Sequence, residues 1–336
     1  MQFFSNALSQ WLKGFSRLLP ALLSLGLFSL CIWAIIHELQ KYQPQVILND
    51  IRAIPYPTLI LALGLTTLNY GFLTGYDVLA RFFVNHRLSY RKTALVATIS
   101  YAISNSVGFA LLSGSAIRYR FYAAWGLTPG QIAQIIAFCN LSFWIGLLAV
   151  GGLVFAVEPL TIPSMLHLPF DTVHPLGILF LIVISTYLGL SSWSRRPLKI
   201  GDWIIPRLPL KLSLAQIGVT SCDWALAASV LYVLLPSDTR LPYLVFFSSY
   251  LLAEIAGVIS NVPGGLGVFE TVLILLLSPP LGSDALLGSL LMYRVIYYLT
   301  PLLVGMVLLA SYELYRHPYR RRLFPSSVRP AKQRQP

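Results

Sequence analysis

The sequence predicts an all-α polytopic integral membrane protein of about eight transmembrane helices plus one re-entrant hairpin, with a possible internal repeat. Three observations carry that reading. Hydrophobic residues make up 56% of the 336 positions and charged residues only 11%, where soluble domains carry about 25% charged residues. Apolar runs long enough to cross a bilayer recur along the chain. The net charge of +12 sits in short basic clusters between those runs, the pattern of membrane topology rather than of a nucleic-acid surface.

The elements follow in order. Lys13 and Arg17 precede the run 18–36, which is too long for a signal-peptide core and has no small-residue cleavage site after it. It is read as the first span, preceded by a cytoplasmic N-terminus, 1–17. Further spans are expected at 57–80, 130–157, 174–193, 212–235, 241–260 and 286–312, each near the roughly 20 residues that a hydrocarbon core of about 30 Å requires. Two stretches are less regular. The stretch 93–113 contains Ser100, Ser104, Asn105, Ser106 and Gly108, and 264–280 follows Pro263 and ends in Pro279-Pro280.

Charge decides how these two are counted. Segments 81–92 and 194–211 and the tail 314–336 are basic, whereas the loop 158–173 holds Glu158 and Asp171 and no Lys or Arg. If 93–113 enters and returns, and 264–280 crosses as a short or broken span, 20 of the 24 Lys and Arg residues fall on the cytoplasmic side. Both termini are then cytoplasmic, the folded part is 18–313, and the Arg-, Pro- and Ser-rich tail 314–336 is expected to be disordered and to anchor on anionic lipid.

The irregular stretches share a signature. Ile103-Ser104-Asn105-Ser106-Val107-Gly108 matches Ile259-Ser260-Asn261-Val262-Pro263-Gly264 in the form I-S-N-x-x-G. A chance match of four residues is one reading. The other is a repeat of interrupted helices, the device that places transporter sites at the membrane midplane, because unwound backbone at that depth survives only inside protein or around a wet cavity. Asn105 and Asn261 would cap such helices or donate to a polar ligand, and Gly108, Pro263, Gly264, Gly265 and Gly267 would shape the backbone.

Four ionisable residues fall within the expected spans: Asp223, Glu254, Glu270 and Arg294. A charge at a helix centre costs about 2.5–3.5 kcal/mol to insert, so these should face one another or a cavity. Arg294 is expected to pair with Glu270, leaving acids in excess. They mark a substrate or ion pathway, or they lock the bundle together. Asp77, near the cytoplasmic end of its span, is placed within reach of headgroups. Arg118 and Arg120 either hold a lipid phosphate at the cytoplasmic mouth or anchor topology. Cys31, Cys139 and Cys222 are read as small buried residues, and no metal-ligand spacing or cofactor motif is found.

Residues Ser260 through Glu270, reading SNVPGGLGVFE, resemble the P-G-G-x-G-x-x-E motif of the lysylphosphatidylglycerol synthase transmembrane-region family, the membrane half of the multiple peptide resistance factor and its stand-alone relatives. Ile103 through Arg120 is similar to the family's other hallmark, and Tyr293 through Pro301 to its R-x-x-Y-Y-x-x-P stretch. The resemblance runs from about residue 17 to 315. It implies a bacterial inner-membrane fold with re-entrant elements that, in two-domain members, moves aminoacylated phospholipid between leaflets. No synthase domain accompanies it here, so lysyl transfer is not expected. The function expected is flippase-like translocation of a phospholipid or other lipid-linked anion. Alternatives are an intramembrane transferase acting on lipid or lipid-linked sugar, and a non-catalytic partner of a separately encoded lipid-modifying enzyme. The partner implied is membrane lipid, with no nucleic acid and no cofactor.

Overall fold

The computed structural model describes Arg52 and residues 54–323 apart from 108–109, 159, 162–170, 194–197, 201–202, 206–207, 237–240, 261 and 282. The expected first span, Asn261, Gly108 and Cys31 lie outside those residues.

Proline sets where several helices begin, since its fixed φ suits a first turn and its missing N–H is not needed there. Helix α1 (Tyr56–Phe83) starts after Pro55 and closes its last turn with Arg81, a cation at the negative end of the helix dipole. Asn85, at φ 52°, turns the chain into α2 (Tyr90–Val107), and α3 (Ala110–Ala124) is the next described helix. Helix α4 (Pro129–Val157) opens on a capping box in which the Thr128 hydroxyl accepts from the Gln131 N–H and the Gln131 side chain accepts from the Thr128 N–H. Helix α5 (His174–Trp193) leads to a two-stranded antiparallel ribbon, β1 (Leu198–Ile200) and β2 (Trp203–Ile205). Helices α6 (Leu210–Leu234) and α7 (Tyr243–Ile259) again start after prolines, Pro209 and Pro242. A glycine turn through Pro263–Gly265 joins α7 to α8 (Val268–Leu281).

The final rod is α9 (Ser283–Tyr293), a π-helical segment (Arg294–Leu299) and α10 (Thr300–Leu323). Pro301 explains the π turn. It cannot donate to the carbonyl four residues back, and its ring crowds that carbonyl; the wider turn accommodates it, with the Thr300 hydroxyl donating to the Val295 carbonyl at 2.9 Å. Helix α10 runs on to Leu323, so the first ten residues of the expected disordered tail are helical.

Five described helices are long and apolar enough to span a membrane: Tyr56–Phe83, Pro129–Val157, His174–Ser192, Leu210–Leu234 and Leu286–Leu314. They coincide with five expected spans. The other two expected crossings, 241–260 and 264–280, appear as α7 and α8 with 17 and 14 residues, about 25 and 21 Å at 1.5 Å per residue. The interruption at the glycines makes them short.

The long helices are arranged as two opposed halves. Between α1 and α6, Gly75 abuts Val219 while Asn69 meets Asp223, so the helices run antiparallel. Each is followed by a pair of short antiparallel helices and then a long one: α2–α3 and α4 in the first half, α7–α8 and the α9–α10 rod in the second. Helix α5 connects the halves against α4, with Gly177 so close to the Ala156 and Phe155 backbone that an added methyl would lie 2.8–2.9 Å from it. Backbone approach of this kind is how helices gain contact in lipid, where apolar surface alone provides little drive. The lipid-facing surface is apolar, with Ile60, Leu153, Ile182 and Val307 more than half exposed. Cys139 is buried, but Cys222 is exposed on α6, contrary to expectation; a thiol is as compatible with lipid as with a core, so its apolar context did not distinguish the two.

One end of the bundle collects the basic elements. Lys92 sits 5.2 Å over the Trp125 ring, Trp125 packs against Tyr312, and Arg120 pairs with Glu313. The start of α2, the end of α3 and the late part of α10 are therefore neighbours, and the chain between Lys92 and Trp125 enters the bundle and returns to where it began.

Candidate functional site

The tips of the two helix pairs meet inside the bundle. A methyl added at Gly264 would lie 3.6 Å from the Ser106 carbonyl and 3.8 Å from that of Asn105, so the two I-S-N-x-x-G segments face each other. Gly264, Gly265 and Gly267 have φ of 63°, 61° and 79°, left-handed values that favour glycine. The Asn105 side chain faces Tyr70 of α1.

Glu270 occupies the first turn of α8, where a carboxylate complements the helix dipole. Its Oε2 accepts the Gly267 N–H at 2.8 Å, and its Oε1 accepts Arg294 Nε at 2.6 Å. Arg294 Nη1 donates to the Gly264 carbonyl at 2.7 Å, so the cation ties the tip of the α7–α8 pair to the π segment. Its guanidinium lies 4.6 Å from the Tyr298 ring and 5.5 Å from Phe269. Both partners are buried, at 4% and 8% exposure. The expected Arg294–Glu270 pair is thus present, but only one carboxylate oxygen takes part in it: Nε and Nη2 both lie 2.6 Å from Oε1. Glu254 of α7 lies within electrostatic reach of Arg294, Glu270 and Tyr250.

A second buried pair was not anticipated. Asp77, fully buried rather than near headgroups, is gripped by Arg118 through Nε–Oδ1 at 2.9 Å and Nη2–Oδ2 at 2.8 Å. The Tyr122 hydroxyl donates to Oδ1 at 2.8 Å, and Tyr101 stacks 4.6 Å from the guanidinium. The α2–α3 return folds Arg118 inward, where its Nε and Nη2 donate to Asp77. Arg120, two residues on, is exposed and pairs with Glu313. Helical spacing held the clue, because residues two apart point to different sides. Asp77 was misplaced because its distance from the helix end says nothing about which neighbour covers it.

Between the pairs stands Asp223. Its Oδ1 accepts Asn69 Nδ2 at 2.8 Å, and its Oδ2 accepts the Tyr76 hydroxyl at 2.7 Å. Asn69 also donates to the Asp223 carbonyl, and its own Oδ1 accepts the Tyr297 hydroxyl at 3.1 Å. Asn69 and Asp223 are 154 residues apart, as are the N-cap prolines Pro55 and Pro209 of their helices. They hold equivalent places in the two halves. Among the described residues no group of His, Cys, Asp and Glu is placed to hold a metal.

Residues 21–305 match the model of the lysylphosphatidylglycerol synthase TM region. The chain belongs to that family. Similar members include the uncharacterized protein slr0712 of Synechocystis, 51% identical over 94% of this chain and 98% of the relative. The inner membrane protein YbhN of Escherichia coli is 29% identical over 87% of this chain and 91% of its own length. Phosphatidylglycerol lysyltransferase of Bacillus subtilis is 27% identical over 70% of this chain, a match that covers 27% of that enzyme. The family match spans both tip segments, both buried pairs and Asp223. This is a membrane protein related to lipid modification.

Proposed function

We propose that this protein translocates a phospholipid or another lipid-linked anion between leaflets, in a bacterial inner membrane, with both termini cytoplasmic. The observation that carries the reading is Arg294: a buried cation at the meeting of two interrupted helix pairs, whose Nε and Nη2 share a single carboxylate oxygen. A phosphate oxygen replacing Glu270 Oε1 would gain the fork geometry that guanidinium offers to phosphate. Polar backbone at the tips then serves the headgroup, as in transporters that place broken helices at the midplane.

On the sidedness read from the basic clusters, α2–α3 is re-entrant from the cytoplasmic side and α7–α8 from the opposite side. Every basic cluster stays inside, because a second hairpin leaves the parity unchanged. The two buried pairs then occupy different depths, with Asp77–Arg118 towards the cytoplasm and Glu270–Arg294 towards the outside. YbhN, named an inner membrane protein, supports the membrane assigned.

Purified protein reconstituted into vesicles with headgroup-labelled phosphatidylglycerol tests this directly. Protein-dependent movement of label to the protected leaflet is expected, together with its loss in Arg294→Ala/Glu270→Gln. Flux unchanged in that double variant would sink the site. A new lipid species by mass spectrometry, without flux, would favour a transferase.

A further inference from the structure

Buried carboxylates in this bundle are not alike. Asp77 faces guanidinium N–H groups on both oxygens, and Glu270 faces a backbone N–H and Arg294. Each of these carboxyls has a guanidinium beside it, and Asp77 also accepts from the Tyr122 hydroxyl. Asp223 differs. No basic side chain of the described residues pairs with it, and its oxygens face an amide NH2 and the hydroxyl of Tyr76. A phenol donates or accepts by rotating one bond. With Asp223 ionised, Tyr76 donates to Oδ2; with Oδ2 protonated, the carboxyl O–H donates to Tyr76. The heavy atoms stay in place while the proton is taken up.

The surroundings place phenols on both sides of the site. Tyr76 packs edge-on against Tyr101 at 5.7 Å, and the buried Tyr101 hydroxyl, facing the Cys139 thiol, makes no hydrogen bond to oxygen or nitrogen. The Tyr101 ring in turn covers Arg118 beside Asp77. On the other side Asn69 accepts from Tyr297, whose ring stacks on Tyr293 at 5.1 Å. The Tyr293 and Tyr250 hydroxyls are 2.9 Å apart, and Tyr250 adjoins Glu254, which lies within electrostatic reach of Arg294. The groups facing Asp223 are therefore Asn69, Tyr70 and Tyr76 from α1 and Tyr297 from the π segment, with Cys139 of α4 behind Tyr76.

We infer that Asp223, with Tyr76 and Asn69, is a reversible proton-binding site midway between the two buried ion pairs. A proton binds Oδ2 and later leaves it, the Tyr76 hydroxyl turning from donor to acceptor and back, with no other bond made or broken. In the translocator proposed above, on which this role rests, such a site supplies coupling to a proton gradient, the carboxylate's charge at depth being removed by the proton itself without a basic partner.

Infrared difference spectra of the full-length protein in lipid nanodiscs, taken between alkaline and acidic buffer, read the site. A protonated-carboxyl C=O band with a deuterium shift is expected in wild type and in Glu254→Gln, and is expected to be lost in Asp223→Asn. Should Asp223→Asn fail to fold, Tyr76→Phe keeps the carboxyl and is expected to move the band. A titrating band identical in Asp223→Asn, or unmoved in Tyr76→Phe, would overturn the inference. Lipid flux in vesicles separates the two readings. Absent flux with an Asp223 band refutes translocation and leaves the proton site standing, whereas flux that ignores Asp223→Asn together with a silent band refutes the proton site alone.

Discussion

Replacing Asp77 by Asn isolates what the inner ion pair contributes. The carboxylate is fully buried and accepts three hydrogen bonds, two from Arg118 and one from Tyr122. Asn keeps the shape but presents an NH2 group to a guanidinium, so donor meets donor and Arg118 is left charged and unpaired at 4% exposure. Removing one partner of a buried pair costs about 3–5 kcal/mol. Two features push towards the lower figure. Tyr101 still stacks on the cation, worth about 0.5–2 kcal/mol, and the unfolded reference in a membrane mimic also finds partners for polar groups. A loss near 3 kcal/mol is therefore expected, roughly a hundredfold in the unfolding constant at 1.4 kcal/mol per decade.

The assay is equilibrium unfolding in mixed micelles followed by circular dichroism, as a double-mutant cycle with Arg118→Met. Each single change is expected to cost about 3 kcal/mol, and the double variant much less than their sum, because replacing both members of a buried pair leaves no charge stranded. Arg120→Ala is the internal control. Its pair with Glu313 is 40% exposed on both sides and is worth about 0–1 kcal/mol. Strictly additive costs, or an Arg120→Ala as damaging as Asp77→Asn, would refute the assignment of Asp77–Arg118 as the buried pair.

Three further outcomes follow from the packing. Gly264→Ala puts a side chain on a φ of 63°, which costs about 1–2 kcal/mol; folded protein with impaired lipid flux is expected, and full flux would argue against a role for the tip. Gly177→Ala should lower the unfolding midpoint by about 1–3 kcal/mol of stability, since its methyl would meet the Ala156 and Phe155 backbone, whereas Gly189→Ala, open within 4 Å, should not. Tyr187 donates to Gln216 Oε1 at 2.6 Å, and its hydroxyl lies 3.0 Å from that of Ser213, docking α5 to α6, so Tyr187→Phe should cost about 0.6 kcal/mol and not more than about 2 in the same unfolding assay.

Much of this was legible in the chain. Apolar length located α1, α4, α5, α6 and the α9–α10 rod, because a long run of lipid-compatible residues has few other uses. Serine and glycine marked the interruption at 93–113, and I-S-N-x-x-G flagged its counterpart. What could not be read was closure in space. Whether 241–260 crosses depends on α8 turning back along it, which the charge count cannot detect since a hairpin and two crossings leave the same side basic. Arg294 and Glu270 were matched because one short connection separates their helices. Asp77 and Arg118, with α2 between them, gave no such cue, and the exposed side of Cys222 depends on which face of α6 meets α1 and α4.

The likeness of the halves bears most directly on Asp223. Two antiparallel helices in equivalent positions bring each residue on their axis against its own counterpart, as a two-fold contact does. Asn69 and Asp223 are such counterparts and touch. Strict equality would place two carboxylates together, repelling in a medium where charge is poorly screened, or two amides, with nothing to titrate. One amide and one carboxylate keep the hydrogen bond, avoid the repulsion and leave a single protonatable oxygen pair at the centre. The ion pairs break the likeness too: the return helix carries the base in one half, Arg118, and the acid in the other, Glu270. Backbone plan is shared between the halves while charge is not, so a cycle that exposes one end and then the other meets different chemistry at each. In the proposed translocator that asymmetry makes the two ends respond differently to an imposed gradient, and exchanging Asn69 and Asp223 by Asn69→Asp/Asp223→Asn tests it: retained proton binding with an altered response to gradient polarity is expected, and an unchanged response would place the asymmetry elsewhere.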